Sequence, residues 1–315
     1  MYTEKYKFLY KCLCHIAHFF IFESKTKFVL QLSCIFYITL EKVIKNILLH
    51  TVLCGCAVGI CYAGDDNYPL GARSAAMSST SVVMTDIWAS ANNQAGLGYL
   101  EQPTAALYYE NRLNVKSLSI QAGAFAIPVK STVVGVNYRY FGFSKYNESK
   151  FGLAVGRRLG EKFALGVQMD YFHTHFSDDY GNFGVLCGEV GILYEPVEHL
   201  LVGAHLFNIS QSRQKANPDE RVPTIMRFGV GYTILDKATI SVETEKDLRK
   251  DAVFKGGLEY SPIGELFLRC GVSTGYLYQY AFGLGYSWKL FTIDVAFSHH
   301  KFFGYSPHIS IIAKL

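Results

Sequence analysis

The sequence predicts an all-β fold: a transmembrane up-and-down β-barrel of about 14 antiparallel strands with an N-terminal hatch, or plug, segment. Three observations predict it: a composition poor in charge and rich in aromatic residues, alternation of apolar and polar residues, and the order of loop lengths. Of the 315 residues, 50% are hydrophobic, 15% aromatic and only 18% charged, whereas a soluble domain carries about a quarter charged residues. A chain this apolar buries enough surface to fold, which excludes disorder.

The first 63 residues differ in kind from the rest of the chain. They hold six of the eight cysteines, seven of the 30 Lys and Arg, and three of the 26 Asp and Glu. The remainder is therefore neutral, and the formal charge of +4 belongs to the leader. This distribution gives no indication of a nucleic-acid partner.

Residues 42–63 are predicted to be a secretory signal peptide. Lys42 and Lys45 precede an apolar run that ends in small residues up to Ala63, which is the order of a basic start, an apolar core and a cleavage site. Acidic residues follow too soon for a stop-transfer helix, which needs about 20 apolar residues. A retained membrane anchor and lipidation at Cys56 are the alternatives.

Residues 1–41 precede a complete signal peptide. We expect them to be a spurious N-terminal extension, with translation starting near Leu40 or Val43. A secreted precursor that includes Met1 would refute this expectation.

Apolar and polar residues alternate along several stretches, most clearly along 163–173, 238–245 and 291–298. In each stretch one parity carries large apolar residues, and the other carries mostly small, polar or charged residues. The pattern fits a sheet with one face on a core and one in water. It equally fits a barrel with one face in lipid and one lining a lumen.

The order of loop lengths favours the barrel. Short connections, such as 128–131 and 159–162, alternate without exception with longer ones, such as 141–149 and 208–223. Tight periplasmic turns and longer outer loops give this order in outer-membrane barrels. The predicted strands are 104–109, 118–127, 132–140, 150–158, 163–173, 183–195, 200–207, 224–234, 238–244, 252–260, 266–272, 278–288, 291–298 and 307–315. Residues 104–315 are therefore the predicted barrel domain.

Residues 64–103 lie between the signal peptide and the first strand and show no long strand pattern. They are rich in small residues, above all along 71–77. A segment this apolar at the periplasmic end of a barrel is expected to fold into the lumen as an N-terminal hatch.

This hatch segment carries the residues of a family resemblance. They are Gly71, Ala72, Arg73, Met77, Val82, Asp86, Ala89 and the hatch motif Asn92, Asn93, Gln94, Ala95, Gly96, Leu97. The pattern resembles the opening of the PorV/PorQ group of the FadL-like outer-membrane β-barrel family, and the run 223–229 resembles a strand opening seen there. The sequence departs from the family at Gln94, where Pro is usual, and at Ser78 and Ser79, where Gly is frequent.

Ten charged residues are predicted to face the lumen, five of each sign. They are Arg139, Arg158, Asp170, Glu189, Arg227, Glu243, Lys255, Glu259, Arg269 and Asp294. A selective ion pore would carry an excess of one sign. A balanced set favours ion pairs between the strands and the plug, and hence a blocked lumen.

No catalytic residue, metal site or cofactor site is predicted. Residues 271–275 match a nucleophile elbow, but that elbow needs a strand, a turn and a helix, and here another strand follows. Ser298 and His299 are adjacent and point to opposite faces. The His and Asp residues of 173–179 are interpreted as a solvated loop. We therefore expect no enzyme and no bound cofactor.

The sequence thus predicts a protein of the outer membrane of a Gram-negative bacterium, in contact with outer-membrane lipid. Within the resemblance, the first hypothesis is a gated passage for a small hydrophobic molecule. The alternative is a PorV/PorQ-like accessory protein of type IX secretion or surface attachment, which acts through secretion-system proteins. The resemblance also implies that the motif Asn92–Leu97 closes the hatch.

Overall fold

The structure is a computed structural model, and it describes residues 67–177, 181–212, 222–275, 278–300 and 304–315. The predicted extension 1–41 and signal peptide 42–63 lie outside the described residues. Within the described ranges, no helix is long and apolar enough to cross a membrane.

Fourteen strands form one closed antiparallel barrel, as the alternation predicts. They are β1 (Thr104–Asn111), β2 (Ser119–Val129), β3 (Thr132–Phe143), β4 (Tyr146–Leu159), β5 (Phe163–Phe176), β6 (Asn182–Tyr194), β7 (Leu200–Phe207), β8 (Ile225–Ile234), β9 (Ala238–Asp247), β10 (Val253–Tyr260), β11 (Leu266–Thr274), β12 (Gln279–Trp288), β13 (Phe291–His300) and β14 (Gly304–Lys314). Each strand pairs with its neighbours in sequence, and β1 pairs with β14 to close the barrel.

The outer surface of the barrel is apolar. Along β13, Phe291, Ile293, Val295 and Phe297 are exposed on the outside. Between them, the inward-facing Asp294 is buried. Because a closed barrel satisfies every backbone hydrogen bond without an edge, it can present such a surface to hydrocarbon. The exposed apolar residues are therefore the lipid-facing belt.

The predicted alternation of short and long loops is wrong. Strands β3 and β4 are joined only by Ser144 and Lys145, where the sequence predicts a long loop over 141–149. The hairpin continues as strand through Phe143 and from Tyr146, where the sequence no longer alternates regularly between apolar and polar residues. The connection 208–224, between β7 and β8, is long in the structure, as the sequence predicts. It lies at the barrel end opposite Thr104, which we take as the outer end.

Residues 67–103, which we call the N-terminal segment, lie against the inward faces of the strands. The segment contains two short helices, α1 (Ala72–Ala76) and α2 (Ala89–Asn92), and a 3₁₀ turn over Gln94–Tyr99. Trp88 is 1% exposed and packs edge-on against Tyr108 of β1, with 5.7 Å between the ring centroids. The segment therefore shares a core with the barrel wall.

Candidate functional site

The inner wall of the barrel carries glycines where the N-terminal segment comes closest. A Cβ at Gly166 of β5 would overlap the backbone of Gln94 and Ala95, and a Cβ at Gly191 of β6 would overlap the side chain of Asn93. Interiors are packed too tightly to absorb such an overlap. These glycines therefore allow the N-terminal segment to contact the backbone of β5 and β6 directly. The same need for space explains why the inward-facing positions of the strands are rich in small residues.

The six residues of the predicted hatch motif are all buried. Asn92 exchanges two hydrogen bonds with the backbone of Leu70, donating from Nδ2 (2.9 Å) and accepting at Oδ1 (2.8 Å). Asn93 Nδ2 donates to the carbonyl oxygens of Val82 (2.6 Å) and Ile192 (3.3 Å). The two asparagines thus tie distant parts of the segment to each other and to β6.

Gln94 stands where the resembled family has Pro, and the structure gives this departure a physical role. Its Nε2 donates to Glu189 Oε2 on β6 at 2.6 Å. Proline could not make this contact. Ala95 and Leu97, which follow in the motif, are completely buried.

A first group of ion pairs joins β8, β9 and β10 to the N-terminal segment. Arg227 Nε lies 2.7 Å from Glu245 Oε2, and Lys255 Nζ lies 2.9 Å from the same oxygen. Lys255 also pairs with Glu243 at 3.1 Å. Glu243 Oε2 accepts from the backbone N–H groups of Ser81 (2.7 Å) and Val82 (2.8 Å). Charges of the wall are therefore neutralised partly by the segment itself.

A second group joins β10, β11 and β13 to helix α1. Arg73 donates to both oxygens of Glu259, from Nη2 at 2.7 Å and from Nε at 2.8 Å, and also reaches Asp86 at 3.2 Å. Arg269 donates to Glu259 and to Asp294, both at 2.5 Å. Partial burial alone would lower the pKa of Arg73, but the carboxylates of Glu259 and Asp86 outweigh it and hold that pKa above its ordinary value.

A third group lies on β4 to β7. Lys150 Nζ is 2.6 Å from Glu189 and 3.4 Å from Asp170. His205 Nε2 lies 3.0 Å from Glu189 Oε2. All four side chains are nearly or fully buried.

The ten charges predicted to face the lumen divide as follows. Nine of them are buried, and eight of these nine form the ion pairs just described, with partners outside the predicted set as well as within it. Arg139 is the ninth buried residue. Arg158 is exposed at the periplasmic end of β4, with its guanidinium 4.6 Å from the ring centre of Tyr99.

Sequence reasoning missed Lys150, His205, Glu245, Arg73 and Asp86 as members of these groups. The parity of β4, β7 and β9 places the first three on the inward face, so a strict count along each strand would have found them. Arg73 and Asp86 belong to the N-terminal segment, which has no period to count.

One apolar cluster and two cavities in the lumen also bear on function. An apolar cluster near the outer end comprises Phe172, Val185, Cys187, Phe207, Val222 and Ile225. An outer cavity of about 240 Å³ lies beside Ser78, Ser79, Glu245 and Lys255. An inner cavity of about 360 Å³ lies beside Arg73, Glu259, Arg269 and Asp294, towards the periplasmic end.

The structure also bears on the enzyme-like motifs. Residues 271–274 lie within β11 and are not followed by a helix, so the elbow context is absent. Ser298 and His299 do face opposite sides, but Ser298 Oγ instead lies 2.9 Å from His308 Nε2. Tyr108 OH lies 2.8 Å from His308 Nδ1. This pair spans two strands, which is why adjacency in sequence did not indicate it.

Other predicted positions are placed as follows. Among the described ranges, no three His, Cys, Asp or Glu side chains are grouped as metal ligands. Asp178 and Asp179, the acidic part of the solvated loop, lie outside the described residues. Cys187 is buried on the inward face of β6, and Cys270 is exposed on the outward face of β11.

Comparisons with known proteins bear on the fold. No family model matches the chain, and no curated protein matches it. The solved structure of the Pseudomonas putida toluene transporter TodX is similar, with a TM-score of 0.59 and 12% identity over 79% of this chain and 97% of that one. A FadL homologue from Pseudomonas aeruginosa is similar with a TM-score of 0.56 and 10% identity over 77% of this chain and 97% of that one.

These similarities show the fold of the chain, and this fold is consistent with the apolar outer surface of the barrel. Both neighbours are matched over nearly their whole length. A closed antiparallel barrel with an apolar outer belt is the architecture of bacterial outer-membrane proteins. The chain therefore has a FadL-like barrel fold and the outer surface of a protein of the Gram-negative outer membrane.

Proposed function

We propose that the protein is a gated passage for a small hydrophobic molecule. The observation that carries the proposal is the apolar cluster inside the lumen. Phe172 and Phe207 face each other edge-on with 5.8 Å between ring centroids, and both are 2% exposed or less. Two further apolar clusters lie where the N-terminal segment packs on the wall, whereas this one lies near the outer end. It is packed as it stands, and a hydrophobic solute that displaces its side chains would leave water there.

The cluster is bounded on one side by charge. Lys150 Nζ lies 5.4 Å from the ring centre of Phe172 and 5.2 Å from that of Phe207. A cation over aromatic faces is held in place by the ring quadrupoles. Its partner Glu189 also accepts from Gln94. The cluster is thus connected through two contacts to the motif that we propose as the hatch.

In this proposal the N-terminal segment is the hatch, and Asn92–Leu97 closes it. The overlap that any side chain at Gly166 or Gly191 would cause supports a fitted closure. The buried ion pairs to Arg73 and the backbone bonds to Glu243 support it further. In this proposal the contacts close the lumen, and passage requires the segment to shift.

The solved neighbours agree with this class of solute. One is described as a toluene transporter, and variants of the same protein as a monoaromatic hydrocarbon channel. These words concern those proteins. For this chain we propose only the class, a small hydrophobic molecule, and we keep the expectation of no enzymatic activity.

The test is uptake of radiolabelled toluene by cells that express the protein. Expression is expected to raise the initial rate above that of an empty vector. Phe207→Ala opens the apolar cluster and is expected to lower the rate several-fold. Phe141→Ala is the matched control, since Phe141 is a partly buried lumen phenylalanine that packs on a different cluster.

No uptake above the vector, with a folded barrel on unboiled gels, would overturn the proposal. A pull-down from native outer membranes then decides for the alternative. Stoichiometric recovery of secretion-machine components would favour the PorV/PorQ-like role. The short connection at Ser144 and Lys145 leaves little surface there for docking cargo, which is why we prefer the passage.

A further inference from the structure

The outer surface of the barrel has an apolar groove where it crosses β14, β1, β2, β3 and β4. The groove has a volume of about 510 Å³. We call it the lipid-facing groove. One row of outward residues crosses the five strands in register, and all of its members line the groove: Ile311, Leu107, Gly123, Tyr138 and Phe151. Gly123 leaves a gap in this row, because it has no side chain.

The next outward row towards the periplasmic end extends the same gap. Ala313 of β14 and Ala105 of β1 are paired there, beside Phe125 of β2. Larger side chains border the space, since Leu107 is 68% exposed and Phe151 is 50% exposed. The lipid-facing groove is therefore an apolar depression between aliphatic and aromatic side chains, within the belt that meets hydrocarbon.

Two cations lie at the periplasmic end of the same side of the barrel. Lys130 is in the turn between β2 and β3. Arg157 of β4 is paired with Thr132 of β3 and has the outward parity of Phe151. Both side chains are exposed, and no ion pair with another described residue neutralises them. Cations at a membrane surface attract anionic lipid headgroups.

The spacing between these cations and the groove corresponds to one acyl chain. Phe151 and Arg157 are six residues apart on β4, which is about 20 Å along a strand. At the tilt of 35–45° usual for such barrels, this is about 15 Å of membrane depth. The hydrocarbon core is about 30 Å thick. The groove therefore lies near the depth where acyl chains end, and the cations lie at the depth of the headgroups.

We propose that the lipid-facing groove binds an acyl chain of one phospholipid of the periplasmic leaflet, and that Lys130 and Arg157 bind its phosphate. A phospholipid uses both features, because it joins an apolar chain to an anion. A second copy of this chain would gain little from the groove, since lipid tails are as apolar as the side chains that would replace them. The site lies outside the barrel and is independent of the passage proposed above.

The test is native mass spectrometry of the full-length barrel, extracted in detergent and incubated with dioleoyl phosphatidylglycerol. Wild type is expected to retain one lipid when the detergent is removed, and Gly123→Leu is expected to lower the retained fraction at least threefold. A Cβ at Gly123 would meet its nearest atoms at 3.6 Å and 3.8 Å, so the wall accepts a side chain there. Gly256→Leu is the matched control, because Gly256 is an outward glycine of β10 with open space around it and lies outside the groove.

A second set of measurements tests the phosphate contact. Lys130→Gln combined with Arg157→Gln is expected to lower retention of phosphatidylglycerol at least threefold. Lys237→Gln is the control, since Lys237 is an exposed lysine of the periplasmic turn between β8 and β9. Dioleoylglycerol has the same chains and no phosphate, and wild type is expected to retain it at least threefold less than phosphatidylglycerol.

Heat-modifiable migration checks that each variant is folded. Ala105→Leu fills the same groove from β1 and replaces Gly123→Leu if that variant does not fold. Equal lipid retention by the filled barrel and by Gly256→Leu would overturn the proposal, as would equal retention by the double variant and by Lys237→Gln. A species of twice the chain mass that the filling variant removes would also overturn it, because the occupant would then be a second copy.

Discussion

The two faces of the barrel wall have different surroundings, lipid on the outside and the N-terminal segment on the inside. The outward face, such as Phe282 and Leu284 of β12, meets lipid and needs only to be apolar. The inward face, such as Glu259 and Gly271, meets one particular chain segment and needs a particular charge or a particular lack of side chain. Substitutions of similar chemistry should therefore cost much inside and little outside.

The largest effect is expected at Glu259. Glu259→Ala removes the carboxylate shared by Arg73, which is partly buried, and Arg269, which is buried, and leaves them Asp86 and Asp294. Breaking a buried pair costs about 3–5 kcal/mol, and the remaining carboxylates place the expected loss at the lower end of that range. Urea unfolding of the refolded barrel in lipid measures this loss. Glu265→Ala is the control, since Glu265 is exposed at the periplasmic turn. Equal losses at both positions would contradict the comparison.

A smaller effect is expected at Gln94. Gln94→Ala removes the hydrogen bond to Glu189, and a bond to a charged group contributes about 1.5–3 kcal/mol. Gln94→Pro, which restores the residue usual in the resembled family, should lose as much, because the lost group is the side-chain amide. Unfolding free energies of the two variants check this. A Gln94→Pro barrel as stable as wild type would refute it.

Adding one methyl group should destabilise the barrel at an inward-facing glycine and have little effect at an outward-facing one. Gly166→Ala places a Cβ against the backbone of Gln94 and Ala95, and overpacking of this kind costs about 1–3 kcal/mol. At Gly256 a Cβ would meet nothing within 4 Å, so Gly256→Ala should change stability by less than about 0.5 kcal/mol. Paired urea titrations measure both, and a loss at Gly256 as large as at Gly166 would be the contrary result.

The smallest effect is expected on the lipid face. Phe282→Leu exchanges one apolar group for another against lipid and should cost less than about 0.5 kcal/mol. Phe172→Leu, inside the apolar cluster, should cost more because its neighbours are fixed. The ratio of the two unfolding free-energy changes is the measurement. A ratio near one would mean that the cluster is loosely packed.

The same contrast explains what the sequence could predict. Strands β5 and β13 begin where the alternation places them, at Phe163 and Phe291, because the demand of lipid for apolar residues is local and repeats every second position. The hairpin around Ser144 and Lys145 was missed because strand beyond the bilayer no longer meets that demand.

The sequence predicts which side chains face the lumen, but it does not predict the partners that they bind there. Alternation placed Asp170 and Glu243 towards the lumen, and they are buried there. It could not show that Glu243 accepts from Ser81 and Val82, since these partners lie 162 and 161 residues away in the sequence. The contact between Ser298 and His308 was missed because the two residues lie on the adjacent strands β13 and β14 and are not neighbours in sequence. The two-residue period of a strand predicts the face on which a side chain lies, whereas the partner of that side chain depends on how the strands and the segment pack.

The seam between β1 and β14 has a consequence for how the molecule is made. Thr104 pairs with Lys314, and Leu315 N donates to the carbonyl oxygen of Pro103 at 2.7 Å. The first strand and the last thus meet immediately beside the point where the N-terminal segment leaves the lumen. Pairs so distant in sequence form late in folding. We therefore expect the segment to lie among the strands already when the final strand arrives, so that seam closure is the step that encloses it.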